Sequence, residues 1–181
     1  MAYRDYHYRE IITKAICGKG RNRIKEFNNV FPSHQPSSIL GCWIINHHYH
    51  AKKKSKDCVE IHGSYDINIW YSFNENTKTE VVTETVQYCD EVVLSEMDKH
   101  SFGNPDEIIA KVIQQPNCLQ CKIDEQGNGI TVEVEREFAV SVIGETKVTV
   151  KVEPEQHTSF EKNHSHYKPD SKGSYVKGKG L

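Results

Sequence analysis

The chain has 181 residues, 36% of them apolar and 27% charged, with a formal charge of −2 and a pI near 6.5. That length suits one domain with a proper core, or two small ones, and the balanced charge excludes a global basic field for nucleic acid. No apolar run approaches the roughly 20 residues a membrane-spanning helix needs, so membrane insertion is not expected.

The opening MAYRDYHYREI is polar and aromatic where a secretion signal needs an apolar segment, so retention in a cytosol is expected. Residues 1–7 read as an N-terminal arm. Residues 8–17 are rich in β-branched side chains and predict a strand, with a short amphipathic helix as the alternative. GKGRNR at 18–23 predicts a basic turn, and PSHQP at 32–36 a rigid loop, because proline fixes φ and removes a donor. SSILGCWIINHHY at 37–49 predicts a buried strand interrupted at Gly41, followed by a solvated connection at 51–56.

Residues 59–73 carry the strongest signal. Val59, Ile61, Tyr65, Ile67, Ile69, Tyr71 and Phe73 share one parity, while polar residues and Trp70 take the other. A period of two marks a strand with one buried and one wet face. Gly63 does not change the phase, so no bulge is expected there; its missing bulk predicts close approach of another backbone. NENTK at 74–78 predicts a turn and 79–88 a returning strand. Residues 95–107 break the pattern and mark the middle of the domain. Strands are predicted at 108–114, 117–123, 130–142 and 147–152, with a hairpin turn at 124–129.

The halves 8–95 and 104–152 echo each other. EIITKAI at 10–16 resembles EIIAKVI at 107–113, and Val59-Glu60-Ile61 resembles Val132-Glu133-Val134. Either strand composition produces these matches by chance, or two related β-modules pack together. The fold expected is all-β, a sandwich-like body over 8–152. From Glu153 the alternation ends, and the polar segment 153–181 has too little apolar area to offset an ordering cost of about 1–2 kcal/mol per residue. It predicts a flexible tail.

Few residues point to chemistry. Cys118-x-x-Cys121 supplies two ligands where a structural zinc site needs four, and on a strand positions i and i+3 diverge. His48 and His50 share a strand face near His47 but lack an identifiable third ligand. His164 and His166 in the tail offer only weak chelation. Glu133, Glu135 and Glu137 share a wet parity, suited to pairing with lysines on a neighbour. No nucleophile and base are marked as a pair, so no catalytic, cofactor or metal residue is assigned and no enzymatic activity is expected. The six cysteines, Cys17, Cys42, Cys58, Cys89, Cys118 and Cys121, are either reduced small hydrophobes or candidates for cross-linking after assembly. Strand edges and exposed Ile11, Ile12, Trp43 and Trp70 are the candidate self-assembly features.

The stretches YREIITKA, GKGR, PSSILGCWIINH, VEIHGSYDINIWYSF, NTKTEVVTETVQY, IIAKVIQQPNCL, EREF and VIGETK resemble the outer spore coat morphogenetic protein E (CotE) family of endospore-forming bacteria. They span residues 8–152 in the family's order. The resemblance implies a non-enzymatic scaffold, needing no cofactor, made in the mother-cell cytoplasm and deposited in the spore coat. It would form a homo-oligomer or lattice with itself and recruit other spore coat proteins. Members usually end in a strongly acidic tail; here Glu153, Glu155, Glu161 and Asp170 face Lys162, Lys168, Lys172, Lys177 and Lys179, which puts the recruited set in doubt. The rival reading is a small β-sandwich module binding carbohydrate or another ligand through exposed aromatics such as Trp70.

Overall fold

The computed structural model describes residues 7–152, without the side chains of 104–106, as two packed β-sheets and, among those residues, no helix. The strands are β1 (His7–Val30), β2 (Pro36–Lys53), β3 (Cys58–Phe73), β4 (Lys78–Val93), β5 (Glu96–Met97), β6 (Ser101–Ile123) and β7 (Ile130–Val152). One sheet has the order β5-β1-β7-β6 and the other β2-β3-β4. All pairings are antiparallel. The expected all-β sandwich is therefore what the chain forms. Of the arm expected over 1–7, His7 instead opens β1 opposite Val152, and residues 1–6, like the tail expected over 153–181, lie outside the described residues.

β3 lies where its alternation puts it, at the centre of the three-stranded sheet. Val59, Ile61, Tyr65, Ile67, Ile69 and Tyr71 are buried in the core, and Trp70 faces outward. From the facing sheet come Val30, Ile130, Val132, Val134, Phe138 and Val140. Each large apolar side chain so enclosed contributes about 1.5–3 kcal/mol. Gly63 pairs in register with Tyr88 and makes no bulge. A Cβ there would stand 2.3 Å from the Tyr88 hydroxyl and 2.6 Å from the His48 carbonyl, so a phenol and a backbone both use the space.

Several strands run further than their composition suggests. GKGRNR is no turn: β1 continues through it after a register shift between Ile16 and Gly18. Its glycines serve packing. A Cβ on Gly20 would lie 2.4 Å from the Val93 carbonyl oxygen, and one on Gly18 3.0 Å from the Met97 sulfur. The segments 108–114 and 117–123 form the single strand β6, broken by register shifts around Pro116, and 130–142 and 147–152 form the single β7. Pro116 is tolerated because β6 is an edge strand. β2 is exposed or half-buried along nearly all its length, not buried, with a register shift between Ile39 and Gly41. The sheets do not divide at the proposed halves, because β1 from the first half pairs with β7 from the second. EIIAKVI in β6 pairs with β7, which carries Val132-Glu133-Val134, whereas EIITKAI in β1 does not pair with β3, which carries Val59-Glu60-Ile61, so the echoed segments have no common strand order.

One polar residue occupies the apolar parity of β7. Arg136 is 1% exposed and lies between the sheets. Its Nε and Nη2 each donate to Asp90 of β4 at 2.6 Å, and Nη1 donates to Glu26 of β1 at 2.8 Å. The guanidinium also lies 4.0 Å from the Tyr88 ring centroid. Burial would lower the Arg136 pKa, but its hydrogen bonds to Asp90 and Glu26 outweigh it and raise it above the ordinary value. The bidentate geometry matches the planar fork of arginine, so lysine would not substitute. Arg136→Met alone should cost about 3–5 kcal/mol by urea unfolding, since Asp90 stays buried without a partner. Replacing Arg136, Asp90 and Glu26 together by apolar residues of similar volume should cost less than that single change. A single-variant loss under about 1 kcal/mol, the range of an exposed pair, would contradict this role.

Candidate assembly surface

The outer face of the three-stranded sheet brings two of the four candidate residues together. Register places Gly41, Trp70 and Val81 in one cross-strand row and Trp43, Asn68 and Thr83 in the next. Ile45, Asp66 and Thr85 form the third row. The Trp43 ring lies over Gly41, where a Cβ would stand 2.8 Å from it, and so reaches toward Trp70. Trp43 is 50% and Trp70 42% exposed, and Ile45 and Val81 are exposed beside them. Asp66 fixes one border, accepting from Asn46 Nδ2 at 2.8 Å and Thr85 Oγ1 at 2.7 Å. Those bonds, the Asn46 one first, hold its pKa below the usual carboxylate value.

Ile11 and Ile12 lie elsewhere. The first half of β1 pairs with the end of β7, from His7 opposite Val152 to Ile16 opposite Ile143. Ile11 shares a face with Val148, while Ile12 points to the other side. All three are exposed, as are Tyr8 and Ile16. The three-stranded sheet covers neither parity of this ribbon.

The four long edge strands differ in chemistry. β6 carries Pro116 and four register shifts, and β2 begins at Pro36 and has three. Over its second half, β1 carries Arg21, Arg23 and Lys25. Arg21 and Arg23 pair with Glu137, and Lys25 with Glu133 and Glu135 at 3.8 and 3.7 Å. The glutamate parity thus meets basic residues as expected, although Glu135 and Glu137 are buried by those partners. Proline, bulges and charge each blunt a strand edge. β4 has no proline and pairs with β3 from Lys78 to Val93 without a register shift. Its outward parity is uncharged from Thr79 through Val81, Thr83 and Thr85 to Gln87, and then runs on to Cys89, Glu91 and Val93, with Glu91 paired to Lys54. Both ends of β4 are tied to neighbouring segments: Ser33 Oγ donates to Glu80 Oε2 at 3.0 Å, and Asn22 Nδ2 donates to the Glu91 carbonyl at 2.7 Å.

The cysteines correct one expectation. Cys118 and Cys121 do not diverge. A register shift between Cys118 and Gln120 turns Leu119 out, so the two thiols face inward together. Both meet Cys42 of β2 from across the sandwich: hydrogen bonding with Cys121 first, and burial second, raise the Cys42 pKa, and the same bond lowers that of Cys121. All six thiols are free. Cys17 and Cys58 are buried and Cys89 is exposed.

The histidines also separate at a bulge. Asn46 adopts φ of 54°, and a register shift between Ile45 and His48 turns His47 into the core. There Nδ1 donates to Gln115 Oε1 at 2.7 Å and Nε2 accepts from the Tyr88 hydroxyl at 2.6 Å. Burial chiefly holds its pKa below the usual value, consistent with that neutral pattern. His48 and His50 do share the outer face, opposite Ser64 and His62. Maleimide labelling of the reduced native protein should modify Cys89 first, with Cys17 and Cys58 reacting only on unfolding. Equal rates at Cys89 and Cys58 would contradict the burial assignment.

No curated protein and no solved structure matches the chain. The family model described as outer spore coat protein E (CotE) matches residues 7–176, which includes every strand of both sheets. The chain belongs to the outer spore coat protein E (CotE) family and is a spore coat protein.

Proposed function

We propose that this protein is a non-enzymatic morphogenetic scaffold, made in the mother cell, that self-associates on the developing spore and recruits other coat proteins. The observation that carries the self-association is the unbroken register of β4 and its outward parity, uncharged from Thr79 to Gln87; among the described residues it is the one long edge strand without proline, register shift or basic stripe. Strand addition at such an edge supplies backbone hydrogen bonds, and side chains set the register. A two-fold antiparallel pairing centred on Val81 places Thr79 opposite Thr83 and Lys78 opposite Glu84 of the other copy. Each of these contacts then repeats by symmetry, and the closed two-fold interface is self-complementary. This register also sets the Val81 side chains of the two copies together, next to Trp70 in each, joining two apolar patches across the axis.

The patch around Trp43 and the ribbon carrying Ile11 and Ile12 offer further contacts, through which weak interfaces add in a lattice. The segment 153–181 is the proposed recruitment element. Its near balance of acids and lysines suits partners other than strongly basic ones.

Light scattering over a concentration series tests the reading. The parent should exceed the 20.8 kDa monomer mass, and a chain ending at residue 152 should keep the parent's assembly size while losing client coat proteins. Lys78→Glu should shift the series toward monomer by setting like charges opposite each other, and adding Glu84→Lys should restore assembly. Failure of that rescue rejects the register. A parent that stays monomeric at every concentration and melts higher with a carbohydrate would replace the scaffold by the ligand-binding alternative.

A further inference from the structure

On the same outer face, away from the tryptophans, one row of the three-stranded sheet reads His50, His62, Cys89 across β2, β3 and β4. Glu60 stands two residues before His62 and so shares its face. Glu60 Oε2 lies 3.2 Å from His62 Nε2, and Cys89 Sγ lies 3.8 Å from that same nitrogen. The three donor atoms all fall within 4.8 Å of one another, the one such trio among the described residues. A single ring nitrogen cannot satisfy both neighbours with one proton, so three lone-pair-bearing atoms of different chemistry converge on a small space.

We propose that Glu60, His62 and Cys89 form a binding site for a divalent transition-metal ion of zinc type. Zinc takes nitrogen and oxygen donors at about 2.0–2.2 Å and thiolate at about 2.3 Å, so tetrahedral edges are about 3.3 Å between N and O and about 3.6 Å between N and S. The two distances around His62 Nε2 are close to those edges, so small side-chain adjustments seat the ion. Mixed carboxylate, imidazole and thiolate donors select zinc and its neighbours over magnesium or calcium. The fourth position faces a depression lined by His48, His50, Gly63 and Ser64 and takes water. His50 stacks on His62 with centroids 5.3 Å apart, which holds the imidazole plane.

Lys54 is the competing cation. Its Nζ lies 3.0 Å from Glu60 Oε1 and also pairs with Glu91. It occupies the carboxylate oxygen that does not face His62, so the metal and the ammonium can share Glu60. On binding, the ion replaces the Cys89 thiol proton, which passes to buffer, and no electron is transferred. The site is independent of the assembly edge, whose proposed register involves residues 78–84.

Titrating the reduced full-length chain with Co²⁺ tests the site, because a thiolate ligand gives a sulfur-to-cobalt charge-transfer band that imidazoles alone do not. The expected result is one equivalent bound with that band, displaced by Zn²⁺. Cys89→Ser, at an exposed position that tolerates the change, should abolish the band, and His62→Gln should weaken binding by about tenfold or more. Lys54→Met should tighten binding by removing the competing charge. No band at one equivalent of Co²⁺, a band that survives Cys89→Ser, or unchanged affinity in His62→Gln would each overturn the proposal.

Discussion

The clamp that Arg136 forms with Asp90 and Glu26 ties both sheets to one point in the interior. Apolar packing between sheets is non-directional and tolerates sliding, whereas a bidentate pair does not. Buried ion pairs contribute little net stability but penalise misregistration, because any slip leaves a charge unpaired. Fixing β4 against β7 and β1 decides which residues remain outside. Tyr88 sits beneath the guanidinium, and the missing side chain of Gly63 leaves room for its hydroxyl. The outer face of the three-stranded sheet, with its tryptophan patch and its histidine row, depends on that constraint.

Bulges set the remaining side-chain directions. The shift near Asn46 sends His47 into the core and keeps His48 and His50 outside. The shift near Leu119 turns Cys118 and Cys121 toward Cys42. Each adds a residue to one strand and reverses the inside–outside phase of the residues beyond it. The half-buried trio of thiols then belongs to the packing between sheets, and Cys89 is left as the cysteine presented to solvent.

These irregularities also explain which parts of the fold were legible in the sequence. β3 could be read almost residue by residue because nothing interrupts its alternation between Cys58 and Phe73. Gly18 and Gly20 looked like turn residues, since a glycine that admits a neighbouring carbonyl is indistinguishable in sequence from one that needs positive φ. β6 read as two strands because Pro116 and its register shifts mimic a break. Arg136 shares the apolar parity of Val134 and Phe138, but its carboxylate partners lie 46 and 110 residues away. Long-range pairing of that kind leaves no local signature. Trp70 was identifiable as outward by parity, whereas Trp43 lies in a segment that reads as a buried strand, and their adjacency depends on the register between β2 and β3. The metal trio needed the β3–β4 register as well.

The edges of the two sheets are unequal: three long edge strands carry proline, bulges or charge, and β4 is left regular. Amide hydrogen exchange, compared between dilute and concentrated protein, tests that asymmetry most directly. The account predicts that protection gained on association is concentrated in residues 79–85 of β4, with the β2 and β6 edges unchanged. Protection gained along β2 or β6 while 79–85 exchange as before would contradict it.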